Sequence, residues 1–208
     1  MEEVFLQLVN FSVKDQDYKI LKNLNLELQR GEIFAIVGQD GSGKNAIIDG
    51  LIGKLPAEGR IIQLGISLPF NLIELKKSKI EIVNQKPKLL ENMSISQNLL
   101  LQFSFYNKKL NFLYLYNKNE VYKLTEKVIK EFNANLKPNK KVKELTLEEK
   151  KNLAFIEAFA VNPNVVILYE PSENISLTSL KNLHSMIKRH KSEGKSVIYI
   201  TKQWEDAL

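Results

Sequence analysis

The chain has 208 residues, 44% hydrophobic and 26% charged, which suffices for one good core or a core with a small satellite subdomain. Its 30 Lys and Arg against 24 Asp and Glu give a net charge of +6, spread along the chain with a local excess between Lys108 and Lys151, and this reads as a solvated basic face rather than a nucleic-acid groove. The lack of cysteine excludes disulfides and thiolate metal sites, and no run approaches the roughly 20 apolar residues of a membrane span.

The acidic start Met1-Glu2-Glu3 is no signal peptide. Residues Val4 to Val13 are rich in β-branched and aromatic types, and Leu24, Leu26 and Leu28 alternate with polar neighbours; both segments read as strands, joined by the polar turn Lys14 to Asp17. The apolar run Ile33 to Val37 stops at the glycine-rich loop Gly38-Gln39-Asp40-Gly41-Ser42-Gly43-Lys44, and Ile47, Ile48, Leu51 and Ile52 follow at helical spacing. Strand, glycine loop and helix in this order let successive backbone N–H groups turn inward on an anion, while the helix dipole adds its field and Lys44 reaches the outer phosphates. Asn45 stands where Ser or Thr offers a hydroxyl to Mg²⁺, so the strict motif fails by one residue, and an ordinary strand-to-helix connection is the bland alternative.

The helix ends near Gly53, Pro56 and Gly59; Arg60 to Leu64 and Ile80 to Val83 are further strands, the second running into Asn84-Gln85. From about 87 to 143 the texture turns helical, through Ile95, Leu99 and Phe103 and then Val121, Leu124, Val128, Ile129 and Phe132. This predicts a small helical subdomain inserted between core segments 1–86 and 144–208 of a single domain. The aromatic cluster Phe103, Phe105, Tyr106, Phe112, Tyr114 and Tyr116 fits a subdomain core or partner contact better than a stacking platform for bases. A helix over Leu145 to Ala160, a buried strand over Val165 to Leu168, a helix through Leu177 and Ile187 and a strand over Val197 to Ile200 complete an α/β pattern. The expected architecture is a mostly parallel sheet with helices on both faces and antiparallel N-terminal strands.

In order and spacing these segments resemble the nucleotide-binding domain of ABC transporters along essentially the whole chain. The resemblance implies a P-loop NTPase core. Besides the loop Gly38 to Asn45, Ile82-Val83-Asn84-Gln85 looks like the Q-loop, Leu145-Thr146-Leu147-Glu148-Glu149 sits at the signature, Val166 to Pro171 matches the Walker B strand and Ile198 to Lys202 the switch strand. The run from Gln85-Lys86-Pro87 into Met93 to Leu99, with Glu170-Pro171-Ser172 followed by Ile175-Ser176, points to the importers for simple sugars, nucleosides or riboflavin, in which two such domains are commonly fused. The resemblance implies ATP bound by Gly38, Gln39, Asp40, Gly41, Ser42, Gly43, Lys44, Asn45, Gln85 and Lys202, with Glu170 as the catalytic carboxylate and Asn45 and Gln85 as weak Mg²⁺ candidates. It further implies a second nucleotide-binding domain and transmembrane permease subunits as partners, no nucleic acid, and a cytoplasmic place on the inner face of the cell membrane. Because the chain stops at Leu208, just after the switch position, it is expected to be a truncated protein or the first domain of a tandem.

Departures from the family gather at the chemistry: Asn45 for the hydroxyl, Tyr169 for the Walker B aspartate, Lys202 for the switch histidine, Leu147 and Glu148 for two signature glycines, and Ser176 for an aspartate. The aromatic that stacks on adenine is replaced by Asp15, with Tyr18 nearby. A phenol with a reference pKa near 10 brings no charge to a cation at neutral pH, and losing one unit-charge pair at about 4 Å forfeits on the order of 4 kcal/mol at an effective dielectric of about 20. Lys202 can hold a phosphate by charge but, with a reference pKa of about 10.4, is a poor proton shuttle. Mg²⁺ is therefore expected to bind weakly or not at all, and hydrolysis to be impaired. Glu148 is expected to bring negative charge toward the partner domain's phosphate and Leu147 to obstruct it. A pseudo-ATPase scaffold without a transport role is the alternative; a small-molecule kinase is disfavoured by the signature-like segment and the lack of an arginine-rich lid.

Overall fold

Alternating and continuous apolar strands segregate into two sheets. The computed structural model describes residues 4–106 and 117–203. Strands β1 (Val4–Asp15) and β2 (Tyr18–Gln29) form an antiparallel hairpin around Gln16-Asp17, and β4 (Ala57–Gln63) and β5 (Ile66–Leu68) extend it to a sheet of order β2-β1-β4-β5. The second sheet, of order β3-β8-β7-β6, comprises β3 (Ile33–Val37), β8 (Ser196–Thr201), β7 (Val165–Tyr169) and β6 (Ile80–Val83), with β3, β8 and β7 mutually parallel. Every residue of β8 and four of the five in β7 are buried, as expected of strands covered on both faces. The α/β architecture with antiparallel N-terminal strands agrees with the sequence reading.

Six α-helices are present among the described residues: α1 (Lys44–Leu51), α2 (Leu72–Lys77), α3 (Ile95–Tyr106), α4 (Lys118–Glu131), α5 (Leu147–Ala160) and α6 (Leu177–Ser192). Their starts follow local capping chemistry. Asn71 accepts from the Ile73 and Glu74 N–H groups at the start of α2, and Asn117 from Asn119 at α4. Ser94 and Gln97 exchange hydrogen bonds at α3, and Thr146 and Glu149 form a capping box at α5. The last of these corrects the sequence reading by two residues: Thr146 caps the helix, so Leu145 lies outside it. The short β5 and α2 went unread because neither carries a periodic apolar pattern, although Asn71 with Glu74 and Lys76-Lys77 supplies cap and dipole signals.

The contacts divide the chain into two compact units, one of residues 1–82, 163–171 and 189–208 and another of 83–162 and 172–188. The second is larger than the 87–143 insert read from sequence, since it takes in α5 and most of α6. In the first, Phe11, Val13, Leu28, Ile61, Ile167 and Ile200 belong to one buried cluster joining both sheets with α1. In the second, α3, α4 and α5 pack on one another, and Ile95, Leu99, Ile129, Leu153, Phe155 and Ile156 are buried. Of the aromatic cluster, Phe103 and Tyr106 are half-buried and Phe105 is 41% exposed, because positions 103, 105 and 106 point around the helix rather than to one face. Phe112, Tyr114 and Tyr116 lie outside the described residues.

His190, on α6, is 4% exposed; burial and the Lys195 ammonium push its pKa down to about 4, with Glu193 pulling weakly the other way. The folded state therefore binds fewer protons than the unfolded state between pH 6.5 and 4. The stability due to the neutral imidazole is complete above about pH 6.5 and is lost as pH falls toward 4, by on the order of 3 kcal/mol at most. Glu58 (held near 2 by Lys14 and Lys19), Glu148, Glu149 and Glu193 all have depressed pKa values, so their contributions are lost only below the ordinary carboxylate range. Melting temperature measured from pH 7.5 to 4.5 is expected to fall in the native chain and to fall less in His190→Gln. Parallel curves for the two proteins would remove His190 as the cause.

Candidate functional site

The glycine loop is built by the end of β3 and the start of α1. Its entry is fixed where the Gly38 N–H donates to the Thr201 carbonyl on β8 at 3.1 Å, and it closes on itself where Ser42 N–H donates to the Gln39 carbonyl at 3.1 Å. Gly43 caps α1 with φ 86°, and a Cβ there would lie 2.6 Å from the Ile20 carbonyl oxygen, so glycine is required both by backbone conformation and by the close passage of β2. Tyr18 begins that strand and is 77% exposed.

Lys44, the first helical residue, is 3% exposed. Its Nζ lies 3.2 Å from Oδ1 of Asp40, four residues back in the loop, and 3.2 Å from Oε1 of Glu170, which is itself 3% exposed. Burial opposes the charged ammonium, but the bond to Asp40 and the bond and charge of Glu170 outweigh it and hold the Lys44 pKa above its ordinary value. Glu170 follows β7 and adopts φ 46°, uncommon for a residue other than glycine. It is held there by its N–H to the Ile200 carbonyl at 2.8 Å. Its other oxygen, Oε2, accepts from Thr201 Oγ1 at 3.4 Å and from the Lys202 N–H at 3.3 Å. The parallel register of β3, β8 and β7 thus brings the loop, Lys44, Glu170 and the backbone of Lys202 together, as the sequence order implies. Thr201 was not anticipated; a hydroxyl at a buried strand end, one residue before the switch position, was the available signal.

The donors in this unit do not fit a divalent cation. Glu170 Oε2 accepts from Thr201 and Lys202, while buried Oε1 has the Lys44 ammonium at 3.2 Å as an ion-pair partner without a hydrogen bond, and any ion reaching that carboxylate or Asp40 would sit beside the Lys44 ammonium. The neighbouring Tyr169 offers a phenol, and Asn45, exposed on the first turn of α1, offers only an amide. No group of three or more His, Cys, Asp or Glu that could hold a metal occurs among the described residues. Mg²⁺ needs near-octahedral oxygen ligands, normally including one or two carboxylates. Gln85, the other Mg²⁺ candidate, belongs to the second unit, where its amide donates to the Glu173 carboxylate.

Also in the second unit, the signature-like segment is used in a way its sequence does not announce. The Glu148 Oε1 accepts from Ser176 N–H at 3.0 Å, Ser176 Oγ at 2.5 Å and Ser179 Oγ at 2.6 Å, and so occupies the N-terminus of α6. The Ser176 and Ser179 hydroxyls and the Ser176 N–H hold the carboxylate pKa below its ordinary range against a small burial effect. This corrects the expectation that Glu148 projects its charge toward a partner's phosphate: the charge is spent on the chain's own helix start. Leu147, by contrast, is exposed. Replacing Glu148 by Ala removes an N-terminal anchor worth about 1–2 kcal/mol and is expected to lower the melting temperature by about 5 °C. The difference is expected to shrink as pH falls below the ordinary carboxylate range, since protonation removes the same interaction from the native chain. An unchanged melting temperature at pH 7 would show that these bonds contribute nothing.

Comparison with known proteins bears on the same residues. Residues 21–173 match the family described as ABC transporter. The arabinose import ATP-binding protein AraG of Mannheimia succiniciproducens is 24% identical over 99% of this chain and 40% of its own length. The galactose/methyl galactoside import ATP-binding protein MglA of Clostridium perfringens is 26% identical over 98% of this chain and 39% of its own. The chain thus spans about two fifths of the length of these relatives. Among solved structures, a dimeric ATP-binding cassette bound to ADP and phosphate in a post-hydrolysis state superposes with a TM-score of 0.80 at 22% identity, covering 97% of this chain and 90% of that one. The glycine loop, the strand order behind it and the family match agree, and the chain belongs to the ABC transporter family.

Proposed function

We propose that residues 1–208 form a single ATP-binding domain of an ABC importer for a small solute such as a sugar, nucleoside or riboflavin, with weak or absent hydrolysis at its own site. The observation that carries this reading is Lys44, buried behind an intact glycine loop whose N–H groups and helix N-terminus suit phosphate, while the flanking positions 45, 169 and 202 have lost their usual chemistry. The names of AraG and MglA support the importer and its sugar-like cargo. A second nucleotide-binding domain, in the same polypeptide or a separate chain, and permease subunits are the partners. No described helix is long and apolar enough to cross a membrane, so the domain would sit on the cytoplasmic face through the permease.

Weak hydrolysis follows from charge placement. Glu170, the only carboxylate in the catalytic position, is neutralised by Lys44, and a base already paired with an ammonium is poorly placed to take a proton from water. Phosphoryl transfer relies on positioning and charge neutralisation, neither of which Tyr169 or Asn45 provides. Steady-state phosphate release, assayed with a competent partner domain, is expected to stay near background for the native chain and to recover little in Asn45→Thr with Tyr169→Asp. Adding Lys202→His to that pair is expected to return more than either repair alone, because residues acting as a unit are non-additive. Brisk turnover by the native chain, abolished by Glu170→Gln, would overturn the impaired-site reading. Failure of the chain to bind any nucleotide would favour a scaffold instead.

A further inference from the structure

The Lys44 ammonium is paired, and its partners are carboxylates rather than solvent. A phosphate entering the glycine loop meets a cation already shared between Asp40 and Glu170, at 3.2 Å each. Asp40 has an 86% exposed side chain and can swing into water at little cost. Glu170 cannot, because its N–H is bound to Ile200 and its second oxygen to Thr201 and the Lys202 N–H. Once a phosphate takes Lys44, the Glu170 charge rests on these remaining donors.

Resting on the ATP-binding reading, we propose that the loop binds its nucleotide as the metal-free anion, and that Glu170 is an internal counter-anion which the phosphates displace from Lys44. Two features support this. The elements that hold phosphate without metal are all kept: the glycine loop, the start of α1 and a buried lysine. The elements that hold a metal are not, since the two carboxylates nearby already share an ammonium, and a divalent ion placed among them would be repelled by it. A nucleotide already complexed to Mg²⁺ carries less negative charge to Lys44 and gains no protein ligand in return, so magnesium is neutral or inhibitory for binding.

The test is equilibrium binding of ATP to the native chain, by calorimetry, in buffer with millimolar Mg²⁺ and in the same buffer with excess EDTA. Affinity in EDTA equal to or tighter than that in Mg²⁺, lost in Lys44→Ala, is the expected result. Affinity about tenfold or more weaker in EDTA overturns the proposal and leaves the ATP-binding reading standing; absence of binding in both buffers overturns both. Glu170→Gln keeps the shape of the side chain and removes its charge, so its affinity in EDTA is expected to rise by about tenfold. Unchanged or weaker binding by that variant overturns the counter-anion role, and circular dichroism of the same sample shows whether the variant has kept its fold. Asn45→Thr with Tyr169→Asp supplies a metal site and is expected to make binding magnesium-dependent.

Discussion

The buried Lys44–Glu170 ion pair is the constraint around which the first unit is arranged. Each charge would be costly to bury alone, and removing one partner from such a pair typically costs about 3–5 kcal/mol. Their proximity demands that α1 start beside the end of β7, a demand met here with β8 lying between β3 and β7. That order is observed, with Val37 opposite Thr201 and Tyr169 opposite Ile200 in consecutive parallel ladders. The left-handed backbone of Glu170 is the local cost of turning its carboxylate back toward the loop, and the hydrogen bond from its N–H to Ile200 offsets part of it.

The second unit solves a comparable problem with a different carboxylate. A helix that starts with Leu177 has N–H groups needing acceptors, and its own preceding residue, Ser176, carries no charge to complement the dipole. Glu148 supplies that charge from α5. Two departures from the family pattern, a carboxylate for a glycine and a serine for an aspartate, therefore meet in one contact and compensate each other. The Thr146–Glu149 capping box beside it, with Lys140 on Glu149 at 3.1 Å, fixes the first turn of α5 so that Glu148 faces α6. In this chain the segment acts as a helix start joined to another helix start, a role that requires side chains where phosphate recognition by backbone would require none.

Much of this was legible in the sequence, and the illegible parts share a cause. Continuous runs such as Val165 to Leu168 and Val197 to Ile200 have few alternatives to a buried strand, and the glycine loop can hardly be read except as a strand-to-helix turn. The loop with Lys44, and Glu170 at the end of its strand, could be singled out as candidates because each stands in a short local motif. What escaped was pairing between residues far apart in the chain: Glu148 with Ser176, Gln85 with Glu173, and Thr201 with Glu170. A carboxylate in isolation reads as exposed negative charge, and its donors become visible only once the fold brings them near. Phe103, Phe105 and Tyr106 differ in burial for another reason, since 100° of rotation per residue distributes neighbours around a helix.

Phosphate holding and metal holding are separable demands on a glycine loop of this kind. The first rests on backbone N–H groups, two glycines with positive φ and a helix start, none of which depends on which side chains stand at positions 45, 169 or 202. The second rests wholly on side chains at such positions. Substitution can therefore erase metal affinity without disturbing the loop, provided the buried lysine keeps a counter-charge. Glu170 supplies it, which couples the two functions in one direction only: removing the metal ligands leaves the ion pair intact, whereas removing Lys44 would take the ammonium away from a buried carboxylate. A loop under that asymmetry would keep its lysine even where its metal chemistry had gone.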